Sequence, residues 1–388
     1  RYGKRAAEPL FARLQTPVAS LLAKETALLA LARLDGVRAE QFLTFWEGAL
    51  RDVYRYKLML VALEDSTPVE EDALLRAALE NAHRQILSLL VQVLAVWTSP
   101  EVARLVESGL HDTDRRKRAS ALEALESLSD RRFTRLFLPI LEAGDSQQED
   151  WREVAARQWD MRVMECLPLL LAGVQDVNKW VVVGAIRSGQ ARAALLGNAW
   201  QQALSRLAQT ATAPEVRAAL RSTLEVVGST SQPGLSLTDT MLFLKRVPLY
   251  SSMTLEQLHT IASSLTARPM STGEAIFREG DQSYELYLIV SGRVEVVKRY
   301  GETQHTIARL QAGDFFGDMA IFEDRSRSAD VVATVPGTLL VLSPEDFRQI
   351  IMQDPAISFE IFRALSARLR RFDDEAMEQA RAAADANK

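Results

Sequence analysis

From Arg1 to about residue 228 the apolar positions recur every three or four residues, the period of helices with one buried face. Over Arg118–Leu128, for example, Ala121, Leu122, Leu125 and Leu128 form one stripe. Helix starts are marked where a hydroxyl residue precedes proline and an acid: Thr67-Pro68 with Glu70, Ser99-Pro100 with Glu101, and Thr212 with Pro214 and Glu215. The longest apolar run, Ile86–Trp97, is broken by Ser88 and Gln92. It falls short of the roughly 20 residues that span a bilayer, so it reads as a buried helix. Gly228–Asp239 is rich in Ser, Thr, Gly and Pro and reads as a linker. Beyond it the period changes. Thr254-Leu255-Glu256-Gln257 is a capping box for a short helix to about Leu265. Short β-branched runs follow at Ala275–Phe277, Leu286–Val290, Val294–Arg299, Thr306–Leu310, Val331–Thr334 and Thr338–Leu342, punctuated by glycines. This pattern predicts a small antiparallel barrel or roll. Ser343-Pro344-Glu345-Asp346 caps a further helix, and a longer one is expected from about Ala356 to beyond Met377.

The helical region carries an internal repetition. Polar turns at His111–Arg115, Gln175–Lys179 and Ala213–Arg217 each lead into a helix with small residues on one face, at Arg118–Leu122, Val182–Ile186 and Leu220–Leu224. The motif resembles the inner helices of HEAT-like repeats, and an irregular helical bundle is the other architecture it allows. In a repeat array each helical pair buries its stripe against the next, leaving an extended surface for a protein partner. The expected organisation is therefore α, then α+β. It comprises a HEAT-like helical repeat region over 1–228, a linker over 229–240, and a jelly-roll-like β-roll with flanking helices over 241–388.

Four motifs in the second region stand in a recognisable order: Phe243–Tyr250, Ile276–Asp281, Leu286–Val294, and Gly313–Phe322 followed by Arg327-Ser328-Ala329. Residues 241–372 thereby resemble the cyclic nucleotide-binding domain of the catabolite-activator and protein-kinase regulatory type. The resemblance implies a helical lead-in, a second strand and turn, a central hairpin and a phosphate-binding cassette. It makes Phe316, Gly317, Asp318, Met319, Ala320, Arg327, Ser328 and Ala329 the ligand-binding residues, and cAMP or cGMP the regulatory ligand. In that cassette a helix start near Gly317 offers N–H groups to a phosphate. Arg327 supplies a forked, permanently charged donor, and Ser328 and the Ala329 N–H add hydrogen bonds. An acid accepts from the ribose 2′-OH. The family's usual Glu is here the shorter Asp318, and Asp330 brings a second carboxylate beside Ala329. Many domains with this roll bind no nucleotide and act as scaffolds. An Arg327 pointing inward with an empty cavity favours sensing, and a filled barrel favours the scaffold.

Ile361, Leu365, Leu369 and Phe372 form a stripe on the last helix. It would lid the pocket, pair two subunits in a homodimer, or pack on its own roll.

Composition narrows the functions. Lys+Arg is 46 against Asp+Glu 51, a net charge of −5. That balance, with no reader helix after the roll, argues against nucleic acid as a partner. Cys166 is alone, which excludes an internal disulfide and suits a reducing, cytoplasmic setting. The four histidines lack metal-ligand spacing, and no nucleophile elbow or phosphate-binding Gly-Lys loop occurs, so no enzyme is expected. No signal peptide opens the chain. The sequence starts at Arg1, and Arg1, Lys4 and Arg5 would suit the cytoplasmic flank of a membrane domain in a longer protein. Some bacterial membrane carriers resemble this arrangement. The expected function is regulatory signalling: a nucleotide-sensing roll that controls protein–protein interaction by the helical region.

Overall fold

The computed structural model describes residues 2–15, 21–32, 34, 42–95, 116, 120–123, 134–141, 151–224, 235–300, 303–318, 325–363 and 366. They fall into two compact units, Arg1–Ser229 and Thr230–Lys388.

The first unit is helical: α1 (Tyr2–Gln15), α2 (Leu21–Ala32), α3 (Leu43–Asp65), α4 (Asp72–Ala95), α5 (Leu138–Leu141), α6 (Trp151–Trp159), α7 (Cys166–Val174), α8 (Lys179–Ala191), α9 (Ala193–Thr210) and α10 (Pro214–Leu224). On α3 the buried residues Phe45, Trp46, Leu50, Val53 and Tyr54 share one face, as the 3.6 period requires. They join Leu90, Phe137, Trp151 and Val154 in one apolar core. Two of the three repeat motifs open helices. Asn178 caps α8 by accepting from Trp180 N, and α10 starts at Pro214. The first motif lies mostly outside the described residues. α8 packs on α7 and α10, and also on α4, about a hundred residues earlier in the chain. The small face is needed there, because a Cβ at Gly184 would sit 2.6 Å from Leu75 Cα.

One helix start differs from expectation. α4 begins at Asp72, not at Pro68. There the Asp72 carboxylate turns back along the chain and accepts from Val69 N at 3.1 Å, ahead of the first helical turn. The same carboxylate is buried against Arg192: Nη1 donates to Oδ1 and Nη2 to Oδ2, each at 2.6 Å. Ser188 Oγ donates to it at 2.6 Å, and Arg192 Nη2 also reaches the Thr67 carbonyl at 2.6 Å. This pair ties the start of α4 to the junction of α8 and α9. Among the described residues no helix is long and apolar enough to cross a membrane.

The second unit opens with α11 (Leu237–Arg246) and α12 (Leu255–Ser264). α11 begins inside the stretch expected to be linker, because Ser236 accepts from Asp239 N and caps it. The capping box of α12 is complete, with Gln257 N on Thr254 Oγ1 at 3.3 Å and Thr254 N on Gln257 Oε1 at 3.0 Å. Then come β1 (Thr266–Met270), β2 (Ala275–Phe277), β3 (Leu286–Tyr300), β4 (Thr303–Gln311), β5 (Phe315–Phe316), β6 (Asp330–Leu342) and α13 (Pro344–Gln353). The sheet order is β1-β6-β3-β4, with β2 also on β6 and β5 also on β3, all antiparallel.

The expected hairpin over Leu286–Val294 is instead one long strand. β3 pairs with β6 from Leu286↔Leu342 to Val297↔Asp330, with its register shifting around Ser291 and Arg293. Gly292, at φ 90°, absorbs the bend that a side-chain-bearing residue would resist. Residues on alternate positions, such as Tyr287 and Ile289 on β3 and Val331 and Ala333 on β6, point into one core with Ile276, Phe277 and Phe316. Residues 356–363 are helical. Ile357 and Ile361 are buried there, while Phe359 and Phe362 are exposed. Leu365, Leu369 and Phe372 of the expected stripe lie outside the described residues.

Candidate functional site

Arg327 reaches the roll just before β6, and its backbone is fixed from both sides. Its N–H donates to the Asp281 carbonyl at 3.0 Å, and its carbonyl accepts from Gly280 N at 2.8 Å. These bonds join the turn after β2 to the end of the cassette, two motifs about fifty residues apart. The side chain turns inward and is 2% exposed. Its guanidinium lies over the Phe277 ring, 4.0 Å from the centroid, with Tyr287 at 5.7 Å. Nε donates to Ser283 Oγ at 2.9 Å and Nη1 to the Gly317 carbonyl at 3.3 Å. Nη2 donates to the Glu285 carbonyl at 2.9 Å and to Glu285 Oε2 at 3.2 Å. Burial pulls the Arg327 guanidinium below its ordinary pKa, with Tyr287, Glu285 and Asp281 opposing that pull. Among the described residues, the one anionic group on this buried, forked cation is the Glu285 carboxylate.

The cassette residues divide sharply. Gly317 meets Arg327 directly. It stands at φ 84°, and a Cβ there would lie 2.7 Å from both Arg327 Nη1 and the Glu285 carbonyl oxygen. Phe316 is a core residue. Its ring stacks on Tyr287 at 5.1 Å and 7°, and packs on Phe277 at 5.8 Å. Asp318 follows Gly317 and is half-buried. Met319 and Ala320 lie outside the described residues. The Ser328 side chain is exposed, and its carbonyl accepts from Lys298 Nζ at 3.0 Å. Ala329 is buried.

Asp330 is directed elsewhere. Its Oδ1 accepts from Glu279 N at 2.7 Å, and its Oδ2 lies 3.6 Å from Arg299 Nη2. Strand alternation agrees, since the neighbouring Val331 faces the core. Asp330 therefore latches the turn after β2 to β6 and brings no charge to Arg327. Substituting Asp330 with alanine should cost the roll about 1–2 kcal/mol in chemical denaturation.

Ser283 and Glu285, which lie outside the four motifs, also meet Arg327, as do Phe277 and Tyr287 from within them. Glu285 had one visible signal, an acid set directly before the apolar run of β3.

The roll is six-stranded and antiparallel between short helices, with a buried arginine beside a positive-φ glycine. The model of one family, the cyclic nucleotide-binding domain, matches residues 267–354. Those residues are a cyclic nucleotide-binding domain with homologues among catabolite activators and protein-kinase regulatory subunits. The chain is 32% identical over 133 residues to the cyclic AMP receptor protein of Thermus thermophilus, covering 34% of this chain and 62% of that protein. It is 33% identical over 109 residues to the cAMP-dependent protein kinase regulatory subunit of Yarrowia lipolytica, covering 28% of each chain. Among solved structures, the Thermus thermophilus catabolite activator protein aligns at 31% identity and TM-score 0.31, over 34% of this chain and 63% of that one. The match thus spans less than two thirds of each of these relatives.

Proposed function

We propose that the roll senses a cyclic nucleotide, cAMP or cGMP, and that the protein is regulatory rather than catalytic. The observation that carries this is the inward, buried Arg327 beside Gly317. Two relatives, a cyclic AMP receptor protein and a cAMP-dependent protein kinase regulatory subunit, point the same way. The phosphodiester would take the Arg327 fork, and Asp318 would face the ribose. Gly317 would let the backbone approach the phosphate, with Met319, Ala320 and Ser328 completing the cassette. Occupancy would shift the helix that follows α13, and that shift requires unequal affinity of the ligand for two states. The helical region would act as a HEAT-like surface for a protein partner, at the cytoplasmic face of a membrane domain where the chain is part of a longer protein. A homodimer through the last helix belongs to the same reading.

A second reading has its own observation. Glu285 already neutralises Arg327, which is what a nucleotide-independent protein-binding scaffold would retain for stability. Thermal unfolding of the whole chain separates the two. With cAMP or cGMP at about a hundred times Kd, the roll should gain about 2.7 kcal/mol, a rise of several degrees. 5′-AMP, a phosphomonoester with a second phosphate charge and no cyclic phosphodiester, should give little. No rise with any of the three supports the scaffold.

A further inference from the structure

Four of the five N–H groups of Arg327 are engaged by described residues, but their acceptors are not alike. Three are neutral: Ser283 Oγ and the carbonyls of Gly317 and Glu285. The fourth is the Glu285 carboxylate, 3.2 Å from Nη2. The two partners differ in freedom. The Arg327 side chain is 2% exposed and the Glu285 side chain 36%. The carboxylate can therefore turn to water, whereas the guanidinium cannot follow it.

A cyclic phosphodiester delivered to this guanidinium meets an anion already on it. One buried cation does not hold two anions at contact distance without a repulsive term in a low-dielectric setting. The other acid whose charge bears on Arg327, Asp281, is tied down by accepting from Arg278 N at 2.7 Å. Glu285 is the acid with somewhere to go. The Arg327 fork also keeps its aim without the carboxylate, because the main-chain carbonyls of Glu285 and Gly317 and the ring of Phe277 hold it.

We infer that Glu285 is an internal counter-anion that competes with the nucleotide phosphate for Arg327 and so sets the affinity of the site. This rests on the nucleotide-sensing reading and specifies how that site is tuned. The side chain acts by occupying the phosphate's position, making Glu285 an affinity-determining residue.

The test is isothermal titration of the full chain with cAMP and with cGMP, comparing the parent with Glu285→Gln. The amide keeps the size and the acceptor oxygen and removes the charge. A gain of about tenfold in affinity is expected, on the scale of one partly exposed charge-assisted contact. Glu285→Ser serves as a second variant where the first does not fold, with the same direction expected. Glu295→Gln removes a charge that pairs with Arg309 on the β3–β4 ribbon and should leave affinity unchanged. A parent that binds nucleotide with Glu285→Gln equal or weaker overturns the competition and leaves the sensing reading intact. Equal gains from Glu295→Gln also overturn it, since the effect is then general charge. Absence of binding in the parent and in both Glu285 variants removes the sensing reading, and this inference with it.

Discussion

Replacing Arg327 by alanine is expected to weaken cAMP and cGMP binding by at least about a hundredfold, the largest functional effect the site can show. Two charge-assisted bonds from one fork to a phosphate, at about 1.5–3 kcal/mol each, give a loss of about 3–6 kcal/mol. The roll should remain folded, because the partner left behind, Glu285, is 36% exposed and regains water. A stability cost of about 1–3 kcal/mol is expected from the carbonyls of Gly317 and Glu285 losing their donor. Arg327→Lys separates charge from geometry. It keeps the cation but cannot form the fork, so its affinity should fall between parent and alanine. Equal affinity of all three proteins would mean that the phosphate lies elsewhere.

The largest effect on stability is expected in the other unit. Asp72→Ala leaves the Arg192 guanidinium buried without its partner, and loss of about 3–5 kcal/mol from the helical unit should follow. All six tryptophans lie before residue 229, so intrinsic fluorescence during denaturation reports that unit alone. Burial raises the Asp72 carboxyl, but bonds from Arg192, Ser188 and Val69 N–H outweigh it, and the net shift is below the ordinary 3.8. A lowered folded pKa contributes stability that is fully present above the unfolded value and is lost as pH falls through the folded one. The gap between parent and Asp72→Ala should therefore be constant near neutral pH and narrow below about pH 4. A gap that widens on acidification would contradict the assignment.

Sequence made the local starts legible and left the long-range ones obscure. Thr254 with Gln257, and Ser343 with Asp346, cap helices through bonds three residues apart, which a linear pattern carries in full. β2 is found at its observed bounds because Ala275–Phe277 is apolar between polar turns. β1 went unseen because it is a mostly exposed edge strand with Arg268 and Pro269 inside it, and an edge tolerates proline. The apolar runs either side of Gly292 read as two strands, since nothing local says that β6 spans both. At the site, Arg327 and Gly317 were visible through the family motif. Glu285 and Ser283 meet Arg327 across 42 and 44 residues, so only the folded roll reveals them. Asp330 looked like a charge beside the phosphate, and its bond to Glu279 N, 51 residues away, shows that it is a latch.

Titration calorimetry of the intact chain with cAMP and cGMP tests nucleotide binding at Arg327 most directly. The predicted result is a saturable heat with about one nucleotide per chain and a dissociation constant around micromolar, equivalent to about 8 kcal/mol. That heat should be absent in Arg327→Ala. No heat with either nucleotide at millimolar concentration, from a chain whose roll is folded, would contradict it.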